Sequence, residues 1–504
     1  MPRYKEVDYS QTILLPISYS EQILKGTFEY TLCYLIDSGS IDLSVFNSFY
    51  KNEQCGSKAY PPGVLLKLIL YAYSRGILSS RRIEELSGTN IIAIALTGNI
   101  QPDHSTISSF INRMGFQIQS IFENIVSVCV EMKLIGGEIF AIDGCKLSSN
   151  ASKEHSGKMN DFIRKRDRIK EVIKTMIEQH KKQDKQEGFE FESEENFRNR
   201  ILRKKRLLEK YNTFIDTGKI KLGKRTDEIQ SNITDFESCK MKTSHGVIQG
   251  YNGMGISDKK HQVIVYAEAF GSGQEHDLFI PCFEGMQKLL NKVTGLTAVL
   301  KGKKVLADTG NYSDKNIKYI YEKEIDGYIP DPNFRKRDIR FRDRRLKMKK
   351  DNFIKKEEFN YDNESDHYIC PAGKKLERKP DIVWKRRMKN VRVKKYYISN
   401  TICKECKLRP RCIKKKGTQG KIILITESDE KINYSELMRN KIDTIEGRKN
   451  YSMRMSIIEP VFGNIRTNKG MNRFLFRGKS KVNIQWTLFS LVHNIGKIQK
   501  FGNL

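Results

Sequence analysis

Between residues 61 and 115 the apolar positions recur at helical spacing. Val64, Leu65, Leu68, Ile69 and Tyr73 follow Pro61-Pro62, which predicts a helix with a buried face. Ser79-Ser80 can cap a second helix over 81–86, and Pro102-Asp103-His104-Ser105-Thr106 reads as a turn and N-cap before a third over 107–114. Short helices with tight turns fit a helix-turn-helix-like unit, and a plain helical bundle accounts for the same pattern. Further on the pattern changes. Residues 139–142, 263–269 and 305–307 are β-branched and apolar and predict strands, with a helix over 278–293 between the last two. Strands separated by a helix point to an α/β core. The stretch 160–213 is rich in Lys and Glu, with Ile169, Val172, Ile173 and Met176 as its apolar positions. It predicts a helical hairpin inserted into that core, without fixed structure across 183–195.

The chain has 504 residues, and 91 Lys and Arg against 60 Asp and Glu leave it at +31. Such a field attracts polyanions, and nucleic acid is the first partner to expect. No apolar run approaches the length of a membrane span, and the N-terminus lacks a secretory pattern, so the expected place is the cytoplasm, in association with the nucleoid. The positive charge is concentrated. Residues 331–350 hold ten Lys and Arg against three Asp, and residues 374–395 hold eleven against two acids, with Trp384 among them. Both stretches are expected to face phosphates, the ordinary alternative being a solvated surface. The organisation that follows has a helical DNA-binding region over 1–130 and a first part of the core over 131–330, with the insertion at about 155–215. A basic Cys-rich insertion over 331–440 and a last part of the core over 441–504 complete it.

Asp143 closes the apolar run Phe-Ala-Ile-Asp-Gly, and Asp308 closes Val-Leu-Ala-Asp-Thr-Gly. An Asp at a strand end is commonly a turn former. Two of them in one α/β core, on adjacent strands, would form half of a Mg²⁺ site, because hard divalent ions prefer carboxylate oxygens. A third acid, Glu459, lies in Tyr451-x2-Arg454-x4-Glu459-Pro-Val-Phe-Gly, followed by Arg466, Lys469, Arg473 and Arg477-Gly-Lys479. Cations so close to a carboxylate suit a phosphate backbone. Helical spacing puts Glu459 and Arg466 on one face and Arg454 off it, and Pro460 predicts that Glu459 stands at a kink or helix start.

These motifs, together with Trp486-x6-His493-Asn494, Gly250-Tyr251-Asn252, Glu275-His276-Asp277 and Asp308-Thr309-Gly310-Asn311-Tyr312, resemble the DDE transposases of bacterial insertion sequences, in particular the IS-eleven-eighty-two-like branch. The resemblance implies an α/β fold with a ribonuclease-H-like core. It also implies Mg²⁺ or Mn²⁺ held by Asp143, Asp308 and Glu459, DNA contacts from Arg454, Arg466, Lys469, Arg473, Arg477 and Lys479, and a homodimer on DNA. The wider group's pattern is Y-x2-R-x3-E-x6-K; here the gap from Arg454 to Glu459 is one residue longer, and Arg466 takes the Lys position.

Cys370 and Cys403-x2-Cys406-x5-Cys412 can supply four thiolates to one structural Zn²⁺, with His367 as a spare ligand and a zinc-ribbon-like module as the result. Reduced cytosolic thiols are the plainer alternative. Cys145 reads as a buried apolar residue, and His276 as either a surface group or a neighbour of the metals. The expected activity is element-end binding, DNA cleavage by a metal-activated water and transfer of the 3′-OH to target DNA. Two alternatives stand beside it: a zinc-stabilised DNA-binding protein without catalysis, and a nuclease of the same fold without strand transfer.

Overall fold

The computed structural model describes residues 17–50, 52, 58–183, 194–223, 226–244, 246–338, 353–354, 356–386, 389–413, 417–418, 420–426 and 433–504. It divides into two compact units, Met1–Pro332 with Met438–Leu504, and Asn333–Leu437. Among the described residues, no helix is long and apolar enough to cross a membrane.

The first unit opens with α1 (Phe28–Asp37), α2 (Pro62–Ser74), α3 (Ser80–Thr89), α4 (Ile91–Thr97), α5 (His104–Arg113) and α6 (Gln117–Glu131). Helix α5 begins three residues earlier than its apolar pattern indicates, because the Asp103 carboxylate accepts from the Ser105 and Thr106 amides at 2.9 and 3.0 Å. Ser79 stands at the N-cap of α3 but makes no capping side-chain bond.

Next come β1 (Ile139–Ser148), β2 (Ser156–Gly157), α7 (Met159–Gln183), α8 (Glu194–Asp216), β3 (Ser231–Asn232), β4 (Cys239–Thr243), β5 (Gly246–Asp258), β6 (Ile264–Phe270), α9 (Phe279–Thr294), β7 (Lys304–Leu306), α10 (Asp314–Glu322) and β8 (Asp326–Tyr328). Strands β6, β5 and β1 are antiparallel neighbours, and β7 and β8 then continue the sheet parallel to β1. Hairpin strand β4 pairs with the first half of β5, and β2 with β3 forms a two-residue ladder at the root of the α7/α8 insertion.

The sequence pattern missed β5, whose glycines look like turn residues. They are there for close approach. A Cβ at Gly253 would lie 2.9 Å from the Trp486 ring, and one at Gly250 only 2.0 Å from the Leu147 carbonyl oxygen.

The second unit contains the short α11 (Phe334–Arg337), then β9 (Asn360–Asp362), β10 (His367–Ile369), β11 (Lys375–Arg386), β12 (Lys389–Ser399), α12 (Asn400–Lys404), α13 (Arg409–Cys412) and β13 (Gly420–Thr426). Its strands form one antiparallel sheet in the order β13-β12-β11-β10-β9. Phe359, Tyr368, Leu376, Tyr396, Ile398 and Ile423 form its core. The basic stretch 374–395 is therefore largely the β11/β12 hairpin, an element its charge conceals. Some of its cations are neutralised at once: Arg378 meets Asp381 at 2.5 Å and Asp366 at 3.3 Å, and Lys379 meets Glu377 at 3.0 Å. The other basic stretch, 331–350, lies outside the described residues from position 339 onward, as does most of the segment 183–195.

Helices α14 (Tyr434–Asp443), α15 (Ile445–Gly463) and α16 (Lys479–Phe501) bring the chain back to the first unit. The border expected at residue 130 is not a border of packing, because α16 lies against α2 and α6 as well as against β6. Two asparagines pin it to the sheet. Asn483 accepts from the Ala269 amide at 2.7 Å and donates to its carbonyl at 3.0 Å; Asn494 does the same to Ile264, at 2.8 Å in both directions. The spacings match: eleven helical residues and five strand residues both span roughly 16.5 Å. The edge of β6 that has no strand partner among the described residues is thereby capped at two points.

Glu459 stands inside α15, not at a kink or start as Pro460 led us to expect. A proline lacks the N–H that would bond the carbonyl four residues back, here that of Ser456. The Gln262 side chain replaces it, donating to the Ser456 oxygen at 2.8 Å.

Candidate active site

Strands β1 and β7 are paired in parallel through Ala141 and Leu306. Two residues beyond that pair, each chain reaches its acid, Asp143 on β1 and Asp308 just past β7. Buried Phe140, Ala141 and Ile142 on one side and Val305, Leu306 and Ala307 on the other fix both backbones. Asp308 also caps the 3-10 turn Thr309–Asn311, its Oδ1 accepting from the Gly310 amide at 3.0 Å and from Asn311 Nδ2 at 2.7 Å. The Gly144 amide donates to Asp143 Oδ1 at 2.8 Å.

The third carboxylate beside them is Glu275, from the 3-10 turn Glu275–Asp277 that leads into α9. One oxygen each from Asp143, Glu275 and Asp308 lies within 4.8 Å of the others. Gly310 makes room for Glu275, whose Oε2 would stand 2.5 Å from a Cβ at that position. Lys146, from the same strand as Asp143, pairs with Glu275 at 2.9 Å. The motif Glu275-His276-Asp277 was legible in the sequence, but nothing in its spacing marked Glu275 as a neighbour of the two aspartates. His276 is half-buried and lies 3.4 Å from Asp277.

Glu459 reaches the site by another route. Arg454 Nη1 meets Asp143 at 2.8 Å, and its Nη2 meets Glu459 at 3.3 Å, so one guanidinium joins the two carboxylates. The helical wheel had set Arg454 and Glu459 apart; the length of both side chains closes the gap. Burial pushes the Asp143 carboxyl up to about 6, Asp308 adds to that rise, and Arg454 and the Gly144 amide oppose it. Cys145 is buried, as expected, and burial raises its thiol too.

The six cations expected to touch DNA separate into groups. Arg454 is buried against the acids. Arg466 is exposed and shares an open cleft of about 550 Å³ with Glu459, Phe462, Gly463, Thr467 and Asn472. Arg473 and Arg477 are exposed, Arg477 Nε donating to the Asn150 carbonyl at 2.7 Å. Lys469 and Lys479 are engaged within the fold. Lys469 lies over the Phe28 ring, with its pKa lowered chiefly by burial, and Lys479 pairs with Glu268 at 2.8 Å.

The Trp486, His493 and Asn494 motif is structural. Trp486 donates to the Met254 carbonyl at 2.9 Å. His493 is held between Asn464 and the Gln262 carbonyl, both at 2.9 Å, with burial pushing its pKa down to about 3.

In the second unit, Cys370, Cys403, Cys406 and Cys412 line one hollow together with Ile354, Phe359 and Leu408. The Lys374 amide donates to Cys370 Sγ at 3.2 Å, in a turn closed by Gly373 at φ +71°. Burial raises the Cys412 thiol, and the other three cysteines add to the rise. No three of the four sulfurs fall within 4.8 Å of one another. His367 lies 3.6 Å from Asp362 and does not line the hollow.

Residues 369–499 match a family model described as a transposase DDE domain, and residues 17–113 match a transposase domain, DUF772. The matches support a DDE transposase. No curated protein matches the chain. The DDE domain match contains Arg454, Glu459 and the four clustered cysteines, and it ends within α16; Asp143, Glu275 and Asp308 lie before it. The transposase family implies an enzyme that cuts and joins DNA, for which a meeting of acids such as Asp143, Glu275 and Asp308 is a fitting centre.

Proposed function

We propose that the chain is a DDE transposase of the IS-eleven-eighty-two-like branch. It binds the ends of an insertion sequence, cleaves DNA with an activated water and joins the freed 3′-OH to target DNA, with two copies assembled on the ends. One observation carries the reading: Asp143, midway along β1 and not at its end as the sequence led us to expect, lies beside Asp308 just past the parallel strand β7, and a helix within the matched segment sets Arg454 between Asp143 and Glu459. The strand order β6-β5-β1-β7-β8, three antiparallel strands followed by two parallel ones, supports a ribonuclease-H-like core.

The donor set suits a hard divalent cation, since it offers clustered carboxylates and no sulfur or imidazole among the grouped ligands. Asp143 and Asp308 of that group, with Glu459, which is linked to Asp143 through Arg454 and lies outside the group, are the proposed holders of Mg²⁺ or Mn²⁺, and Glu275 stands beside them as the group's third carboxylate. Such ions supply activation of the attacking oxygen and charge neutralisation on the leaving one. Arg454 orients Asp143 through their ion pair, and Lys146 does the same for Glu275. Exposed Arg466, Arg473 and Arg477 offer cations to the flanking phosphates. The four-thiol hollow, with its amide bond to Cys370 Sγ, supports a structural Zn²⁺ in the second unit.

The test uses duplexes taken from the DNA flanking the gene, assayed in parallel for cleavage with Mg²⁺ and for gel shift. Asp308→Asn and Glu459→Gln should bind the ends and not cut them. Variants that cut at the wild-type rate would place the active site elsewhere. Joining of cut ends to a target plasmid separates a transposase from a nuclease.

A further inference from the structure

We propose that the α7/α8 hairpin is a DNA-binding arm that grips the phosphate backbone of duplex DNA without reading its sequence. The inference rests on the reading of the chain as a transposase and assigns a surface to its partner.

The root of the arm is firmly built. Phe162 is fully buried and packs against Tyr211 and Phe214, while the Lys165 ammonium donates to the Glu154 and Ser156 carbonyls at 2.6 and 2.9 Å. From there α7 runs 25 residues and α8 23 residues, lengths of roughly 37 and 34 Å. The helices pack on each other, with His180 stacked on Phe197 at 3.8 Å.

Charge distinguishes the arm from an ordinary solvated helix. Helix α8 carries seven Lys and Arg against four acids. Arg203, Lys204, Lys205 and Arg206 are consecutive, all exposed, and none has an ion-pair partner among the described residues. A solvated helix ordinarily interleaves acids at i±3 and i±4. Here only Glu209 stands at such a spacing from the four, four residues after Lys205 and three after Arg206, in the less favourable order for both. Self-repulsion of this kind costs stability in a free protein and is relieved by a polyanion. Four consecutive residues also fan through about 300° around the helix. Cations spread so widely cannot all face one row of base edges, but they suit phosphates on the walls of a groove, and the arm therefore contributes affinity and no sequence preference.

The experiment measures binding of the full-length protein to a fluorescein-labelled 30-base-pair duplex of arbitrary sequence, by anisotropy, between 50 and 300 mM NaCl. Arg203, Lys204, Lys205 and Arg206 are changed together to Ala, and in a second variant to Gln; both residues favour helix, and circular dichroism checks the fold. Each lost phosphate contact flattens the slope of log K against log salt by about 0.9, equivalent to about eightfold in affinity at 0.1 M. Two to four contacts predict a slope flattened by about 2 to 4 and an affinity at least about 60-fold weaker at 0.1 M. The same loss is expected on a duplex carrying the element's end. A folded variant whose slope changes by less than one unit overturns the arm alone. A wild-type protein that binds no duplex overturns both the arm and the transposase reading.

Discussion

Asp143→Asn should make the protein more stable in the absence of divalent cations, by an amount that grows with pH. The carboxyl titrates at about 6 in the fold against an ordinary 3.8, chiefly because it is buried. An acid whose pKa is raised on folding binds its proton more tightly in the native state. Its contribution to stability is full below pH 3.8 and is lost as pH rises through 6. The shift of about two units corresponds to about 3 kcal/mol at pH 8, roughly half of that at pH 5 and little at pH 4. The Asp143 side chain is only 16% exposed, so solvent screening takes little from these figures. Asparagine resembles the protonated acid in shape and can still accept from Arg454, so the variant escapes the cost of charging. Urea denaturation in EDTA, compared between wild type and variant at pH 5 and pH 8, reads the difference. A variant no more stable than wild type at pH 8, or a gap equal at the two pH values, would refute the reasoning. Added Mg²⁺ should stabilise the wild type and leave the variant almost unchanged.

Three more outcomes are expected. Protein purified without chelator should hold close to one zinc per chain by elemental analysis, and Cys403→Ser with Cys406→Ser should lose it. Gly253→Ala pushes a methyl to within 2.9 Å of the buried Trp486 ring and should cost about 1–3 kcal/mol in chemical denaturation, with an accompanying change in tryptophan fluorescence. Asn494→Ala strands the Ile264 amide and carbonyl and should cost about 2–4 kcal/mol, whereas Asn494→Gln, whose longer side chain keeps the amide, should recover part of it.

The apolar pattern located α2, α5, α9, β6 and β7 to within a few residues, because α5 and α9 each bury one face while α2, β6 and β7 are nearly continuous buried apolar runs. It failed where a residue's neighbours in space decide its role. Gly250 and Gly253 read as breakers until Leu147 and Trp486 are seen beside them. The alternating charges of β11 and β12 hid strands whose inward positions, such as Leu376 and Tyr396, are few. At the site, Asp143 and Asp308 were recognisable because each ends an apolar run. Glu275 was not, since it comes from a loop more than 30 residues before Asp308, and only the sheet brings the two together. Pro460 misled for a related reason: the group that satisfies Ser456 is Gln262, nearly 200 residues away.

The two asparagines that hold α16 to β6 also set an order of events during synthesis. Ribosomes deliver a chain N-terminus first, and here the clasp for an edge strand made at residues 264–270 arrives only with residues 483 and 494. Arg454 and Glu459 arrive just before it. A nascent or prematurely ended chain therefore has neither a sealed sheet nor these two groups at its acids, and its open edge is a template for pairing with its neighbours. Truncated products should go to inclusion bodies or proteolysis, and competence for DNA chemistry comes only when the last helix has docked.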